Sequence, residues 1–356
     1  MTPLLEAREL GQVFGTGDKR TVALENLTLS FDADTPSFTA IVGESGSGKT
    51  TLARSLLGFL RPSSGAVYFR GEDLYSTGGA GLRRFRREVQ AIFQDPFEVY
   101  NPFYTVDHML ATPIRKFGLA PSRTQARDLM ERSLRAVGLE PKETLGRYPH
   151  QLSGGQRQRL TVARALLIGP RLIIADEPVS MIDASLRATV LESLRRLHED
   201  FDISFVYITH DLTTAYQVSD NVIVLYRGRV AEVGDVEQVI KQPEHPYTQL
   251  LVGSIPIADP DRPWAEDINV PEAGERELDR EHACAFADRC PQVMPRCTQS
   301  PPPLYRTHDN RAVSCFLYDR DGEETVEGDV RKIFRSSDLR PDPAGGDGRR
   351  NQTDPA

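Results

Sequence analysis

Eight residues, Gly43-Glu44-Ser45-Gly46-Ser47-Gly48-Lys49-Thr50, fit the pattern GxxxxGK[ST], the spacing of a loop that cradles phosphate. Glycines in such a loop let successive backbone N–H groups converge on phosphate oxygens without a Cβ in the way. Lys49 is placed to reach β- and γ-phosphates, and the Thr50 hydroxyl to ligate Mg²⁺. Gly43, Ser45, Gly46, Gly48 and Thr51 complete the expected nucleotide contacts. About a hundred residues further on, Leu152-Ser153-Gly154-Gly155-Gln156 directly precedes a helical pattern. Ser153 can cap that helix, and the amides of Gly154 and Gly155 lie at its positive end, which makes a second anion site. Two such sites suggest a nucleotide held from two sides, and raise the question of whether one molecule supplies both.

The complementary chemistry lies at the ends of apolar runs. Leu172-Ile173-Ile174-Ala175 leads into Asp176 and Glu177, so a buried strand delivers two adjacent carboxylates at its C-terminal end. Asp176 suits the Mg²⁺ shell and Glu177 the general base that polarises an attacking water. His210 follows a second run, Ile203–Ile208, at the same edge, where it can contact a γ-phosphate or water; Asp211 beside it is a helix cap. Gln94, after Ala91-Ile92-Phe93, can reach Mg²⁺ or water, although a solvated loop glutamine explains it equally well by itself. Each feature alone has a plain reading: a glycine turn, an acidic strand end, a structural histidine, an ordinary capped helix. Their coincidence in one chain is what favours chemistry.

The elements that must position these groups are those of an α/β protein. Phe38-Thr39-Ala40-Ile41-Val42 is a short apolar strand running into the glycine loop, and residues 51–57 continue as a helix, the context the phosphate motif requires. Leu27, Leu29 and Phe31 alternate with Thr28 and Ser30 as in a half-buried strand. A helical pattern from Ala184 to Glu199, with Val190, Leu191, Leu194 and Leu197 on one face, separates two buried parallel strands. Residues 95–160 carry helical patterns around 122–138 and 157–167 and no strand run, so they form a helical insertion. Beyond about residue 255 the chain turns to proline, charge and cysteine, and Pro341–Ala356 has the composition of a disordered end.

With 356 residues, 39% of them hydrophobic and 26% charged, the chain has room for two or three domains. Its net charge of −8 argues against non-specific binding to nucleic acid. No run of eighteen apolar residues is present to span a membrane, and Met1–Arg8 lacks the basic and apolar regions of a signal peptide, so a cytoplasmic location is expected. The four cysteines, Cys284, Cys290, Cys297 and Cys315, share one short segment, which in a reducing compartment suggests a metal or cluster site rather than disulfides.

Taken in order, GESGSGKT at 43–50, Gln94, LSGGQ at 152–156, LIIADE at 172–177 and His210 resemble the ATP-binding subunits of ATP-binding cassette transporters over about residues 4–250. The resemblance implies a P-loop NTPase (RecA-like) core with a helical subdomain and an N-terminal antiparallel β region. It also implies ATP and Mg²⁺ as ligands, with two subunits joined head to tail so that Ser153-Gly154-Gly155-Gln156 of one covers the ATP of the other. Phe14 is the aromatic expected to stack on the base. The loop Ser180-Met181-Ile182-Asp183 departs from the usual Ser-Ala-Leu-Asp but keeps its serine and aspartate. The alternative is a soluble cassette ATPase of translation or DNA repair; such proteins commonly carry two cassettes or a long coiled coil, and this chain has neither.

His245-Pro246-Tyr247-Thr248-Gln249-Leu250-Leu251 with Ile255-Pro256, and the spacing C-x5-C-x6-C-x17-C, resemble the oligopeptide/dipeptide/nickel importer branch. In that branch the cysteines are associated with a [4Fe–4S] cluster; a Cys₄ zinc site is the second reading and free buried thiols the third. The expected organisation is a nucleotide-binding domain over 1–253, an irregular cysteine region over 254–320 and a tail over 321–356. The expected partners are a second ATPase subunit (a sibling in preference to a copy), two membrane-spanning permease subunits and, indirectly, an extracytoplasmic solute-binding protein. The protein would then sit on the cytoplasmic face of the inner membrane. Peptide, nickel or oligosaccharide all remain open as cargo.

Overall fold

The computed structural model describes residues 2–95, 100–255, 282–320 and 324–334, so the expectation of a disordered end at Pro341–Ala356 lies outside the described residues. Continuous apolar runs can be stable only where both faces of a strand are covered. Phe38–Val42, Ser204–Thr209, Leu172–Asp176 and Val89–Ile92 meet this demand as neighbouring parallel strands, with Asn221–Tyr226 parallel on the other side of Phe38–Val42. Within them Phe38, Ala40, Val42, Ile173, Ala175, Phe205 and Tyr207 pack into a core shared with the helices. Their alternates Ile41, Ile174, Val206, Ile208 and Ile223 pack against a second sheet. The rings of Phe38 and Phe205 stack across adjacent strands at 4.9 Å.

The second sheet is antiparallel where its strands pair, in the order Thr21–Phe31, Leu5–Phe14, Ser64–Phe69, Glu72–Asp73. Leu27, Leu29 and Phe31 are buried as the alternation requires. Ser30, expected on the wet face, is buried too, because the turn Val330–Ile333 lies over it and Asp329 accepts its backbone N–H at 3.1 Å. That cover comes from three hundred residues away, beyond the reach of any local pattern.

Helices fill the remaining layer. Ala184–Phe201 buries Val190, Leu191, Leu194 and Leu197, the face its spacing predicts. Arg123–Ala136 and Gly154–Leu166 appear where the middle of the chain shows helical periodicity, the former capped by Ser122. A third helix, Val106–Phe117, has no clear periodicity in the sequence, since Pro113 interrupts its pattern. It ends at Gly118, whose φ of +67° closes the last turn.

The cysteine region is less separate than its composition suggests. Tyr305–His308 and Arg311–Val313 are short strands that extend the large sheet beyond Arg229–Asp235. Arg311 and Glu232 form a buried pair at that junction, Nε to Oε1 3.0 Å, and the backbone N–H groups of Glu244 and His245 also donate to the Glu232 carboxylate. Removing one partner of such a pair leaves a charge in the interior. Arg311→Ala should therefore cost about 3–5 kcal/mol in urea denaturation, and a loss under about 1 kcal/mol would show that the pair does not join the region to the sheet.

Candidate nucleotide site

Strand register brings the candidate residues together. Val42 pairs with Thr209, and Asp176 with Ile208, so Gly43, Glu177 and His210 all begin just past one edge of the sheet. Glu177 makes its turn at once: its N–H donates to the Ile208 carbonyl at 2.9 Å and its φ is +47°, a left-handed conformation costing a residue with Cβ about 1–2 kcal/mol. His210 Nδ1 lies 2.9 Å from Glu177 Oε1, with the ring N–H donating, and Gln94 Nε2 donates to Glu177 Oε2 at 3.4 Å. The carboxylate expected to act on water thus stands between the other two groups expected beside it. Asp211 caps the following helix through Thr213 and Thr214 N–H, which fixes the chain direction after His210.

The phosphate loop closes on its own lysine. Lys49 Nζ donates to the carbonyls of Gly43 at 2.7 Å and Glu44 at 2.8 Å, and lies 3.4 Å from the Ser47 hydroxyl. Burial pulls the Lys49 ammonium below its ordinary pKa, opposed by the carboxylates of Glu177, Asp176 and Glu44. A phosphate is the anion that would restore what burial takes away. Gly48 caps the helix Lys49–Leu56 at φ +104°, and a Cβ there would stand 2.4 Å from the Ala23 carbonyl. Ser45 is exposed, Gly46 faces open space and Thr51 lies in the first turn of the helix. Phe14 ends its strand 43% exposed, an available platform for a flat ring.

The Mg²⁺ expectation can be tested on Asp176. Burial and the neighbouring Glu177 push its carboxyl pKa up, while the Thr50 hydroxyl, hydrogen-bonded to it, acts the other way. Its Oδ1 is buried with no hydrogen-bond partner. A buried acceptor beside a hydroxyl is what a hard cation would satisfy, so Thr50 and Asp176 fit Mg²⁺.

The second anion site is built but stands elsewhere. Ser153 accepts the Gln156 N–H at 3.2 Å, and Gln156 Oε1 accepts the Ser153 N–H at 2.9 Å, a reciprocal cap that leaves Gly154 facing open space. Gly155 packs on Leu186 of the helix Ala184–Phe201. The Gly154–Leu166 helix lies against other helices and the strand Val89–Ile92, whereas Lys49 begins a helix between the two sheets. Among the described residues no hydrogen bond or ion pair joins 153–156 to 43–51.

Cys284, Cys290, Cys297 and Cys315 line a single cavity of about 10 Å³ beneath His245 and Phe286. Burial pushes the Cys284 thiol up to about 11 and Cys315 to about 12, with neighbouring thiols adding in the same direction. As donors four thiols suit a cluster; the space between them suits about one water. Among the described residues no three His, Cys, Asp or Glu side chains are placed to hold one metal ion, which supports neither the zinc nor the cluster reading.

Two contacts escaped sequence reasoning. Tyr247 Oη accepts the Glu44 N–H at 2.8 Å, and Arg289 forks onto the Glu44 carboxylate at 2.9 and 3.2 Å. In the sequence Tyr247 belongs to the branch motif, and nothing near Glu44 points two hundred residues ahead. A groove of about 700 Å³ also runs from the end of the Lys49–Leu56 helix to Phe117, lined by Phe59, Leu82, Phe93 and Pro113 and rimmed by Arg83 and Lys116.

Comparison with known proteins decides the family. A model described as ABC transporter matches residues 24–180, and one described as oligopeptide/dipeptide transporter, C-terminal region, matches 231–297. The oligopeptide transport ATP-binding protein OppF of Salmonella typhimurium is 38% identical over 88% of this chain and 93% of its own. The chain belongs to the ATP-binding subunits of ABC transporters. It is an ATPase of that family, and YkfD of Bacillus subtilis is likewise 38% identical, over 89% of this chain and 96% of its own. Among solved structures, the ATP-binding cassette MJ0796, a dimer in a post-hydrolysis state bound to ADP and Pi, is 27% identical with a TM-score of 0.56, covering 65% of this chain and 98% of its own. CbiO1 of Clostridium perfringens is 25% identical with a TM-score of 0.59, covering 70% and 96%. No described helix of the cassette is long and apolar enough to cross a membrane. Gly48→Ala should force the phosphate loop apart: we expect at least about 1–3 kcal/mol lost in thermal unfolding and no measurable binding of a fluorescent ATP analogue, whereas wild-type affinity would contradict the loop geometry.

Proposed function

We propose that this chain is the ATP-hydrolysing subunit of a peptide importer, and the observation that carries the mechanism is the convergence of Gln94 and His210 on Glu177. Gly43, Ser45, Gly46, Gly48, Lys49 and Thr51 hold the phosphates, and Phe14 stacks on the base. Thr50 and Asp176, with Gln94, hold Mg²⁺, which when bound neutralises charge on the phosphate oxygens. Glu177 takes a proton from water as the water oxygen attacks the γ-phosphorus. The bond to the β–γ bridging oxygen breaks and ADP leaves with its electrons. His210 orients the Glu177 carboxylate and can contact the transferring phosphoryl group. Since, among the described residues, no hydrogen bond or ion pair joins Ser153, Gly154, Gly155 and Gln156 to their own phosphate loop, they serve the ATP of a second cassette, and the dimeric relative bound to ADP and Pi supports that arrangement.

The cargo reading rests on relatives named for oligopeptide and peptide import; a role in translation or DNA repair is not favoured by them. The groove suits a permease: exposed Phe59 offers apolar area, Arg83 and Lys116 offer positive charge, and Gln94, the residue after its lining residue Phe93, touches Glu177. A short permease helix with an acidic residue would thereby reach the catalytic carboxylate. Two permeases, a sibling second ATPase, an extracytoplasmic binding protein and a peripheral seat on the cytoplasmic face of the inner membrane complete the reading. We divide the chain into a nucleotide-binding domain over 1–253 with its helical subdomain near 95–160, a cysteine region over 254–320 and a tail over 321–356.

Glu177→Gln keeps the shape and removes the base, so the assembled transporter should retain ATP in a closed dimer and lose at least about a hundredfold in turnover. Hydrolysis at the wild-type rate would remove Glu177 from this role. For the cysteines we propose a [4Fe–4S] cluster, supported by four thiols on one cavity, whose walls at Phe286, Met294 and Phe316 must part to admit it. Anaerobically purified protein should then contain iron and sulfide and absorb broadly near about 400 nm; colourless, iron-free protein would leave plain buried thiols.

A further inference from the structure

Glu44 is gripped at three points. Tyr247 Oη takes its N–H, Lys49 Nζ donates to its carbonyl, and the Arg289 guanidinium forks onto its carboxylate. Arg289 in turn lies over the rings of Tyr226 and Phe286 and immediately precedes Cys290. Tyr226, Tyr247 and Phe286 pack on one another with ring centroids 4.4–5.6 Å apart, so both grips on Glu44 rise from one aromatic box. That box includes the wall of the four-thiol cavity, Phe286. A parallel strap ties the same segment to the far side of the loop: Arg227 bonds Asp288 at 2.7 Å and Arg229 the Ala283 carbonyl at 3.0 Å, while Gly228 N–H donates to the Ser47 carbonyl at 2.9 Å.

Lys49 has three N–H donors, two of them given to the Gly43 and Glu44 carbonyls, so turning the ammonium onto phosphate oxygens draws on the bonds that now hold Glu44. When those bonds are given up, Glu44 keeps its place through Arg289 and Tyr247, together with the Ser47 N–H on its carbonyl. We propose that Arg289 of the cysteine segment is a positioning residue for nucleotide binding, holding Glu44 so that the phosphate loop stays open to ATP. The cysteine region is on this account part of the nucleotide site's support, whatever its thiols hold. The inference rests on the reading that Gly43–Thr50 binds ATP.

The test uses the full-length chain titrated with a fluorescent ATP analogue and Mg²⁺. Arg289→Ala and Glu44→Gln should each weaken binding about fivefold, and the double variant about fivefold in all rather than twenty-fivefold, because the two remove one interaction. Arg289→Lys, which keeps the charge and loses the fork, should recover part of the loss. In the assembled transporter KM for ATP should rise while kcat stays within about twofold. Glu44→Gln leaves the other contacts of the cysteine segment in place, so its loss must match that of Arg289→Ala; a loss confined to Arg289→Ala would mean only that the segment had unfolded and would overturn the proposal. Wild-type affinity in Arg289→Ala, or multiplying losses in the double variant, would overturn it too. Wild-type protein that fails to bind the analogue would instead strike the ATP reading itself.

Discussion

The parallel register of the central strands is the constraint on which everything else depends. Because Phe38–Val42 and Leu172–Asp176 both pair with Ser204–Thr209, three chain segments far apart in sequence stop at one edge. There the backbone must leave the sheet, and each departure carries a reactive group: the lysine loop, Glu177 and His210. A slip of one residue in any strand would exchange the residues facing its two cores and carry its terminal group out of reach. The two-sided apolar core therefore aligns the chemistry as well as stabilising the fold.

Local strain is also present at the same edge. Glu177 accepts a left-handed conformation so that its carboxylate can meet His210 and Gln94. Gly43 and Gly48 sit where a Cβ would collide with carbonyls of neighbouring segments. Lys49 and Asp176 both lose solvation by burial, and the shifts run in opposite senses, each disfavouring its charged form. A magnesium–phosphate group is the ligand that relieves both at once. Such a site spends folding stability to stand ready for a highly charged partner.

The cysteine region looks like an appendage in composition and behaves as part of the cassette. Its strands lengthen the main sheet, Arg311 and Glu232 join them in a buried pair, and Arg289 reaches the phosphate loop. These contacts connect it to the Gly43–Thr50 loop at one end and to a four-thiol cavity at the other.

Much of this was legible in the residues themselves. The glycine-lysine spacing, the apolar runs ending in Asp176-Glu177 and His210, and the Ser153 cap are local patterns, and local sterics and hydrogen bonding dictate their form. The Ala184–Phe201 helix declares its buried face by spacing alone. Where Pro113 broke the periodicity, or where strands were only three or four residues long, that signal vanished. Ambiguous Gln94 became informative only when folding set it beside Glu177. Ser30, Arg289 and Tyr247 acquired their roles from residues two hundred or more positions away. The sequence by itself determined which groups could bind phosphate and activate water, since that is a matter of residue type and near spacing. Only the tertiary structure decided which of them meet, because strand register and long-range packing have no local signature.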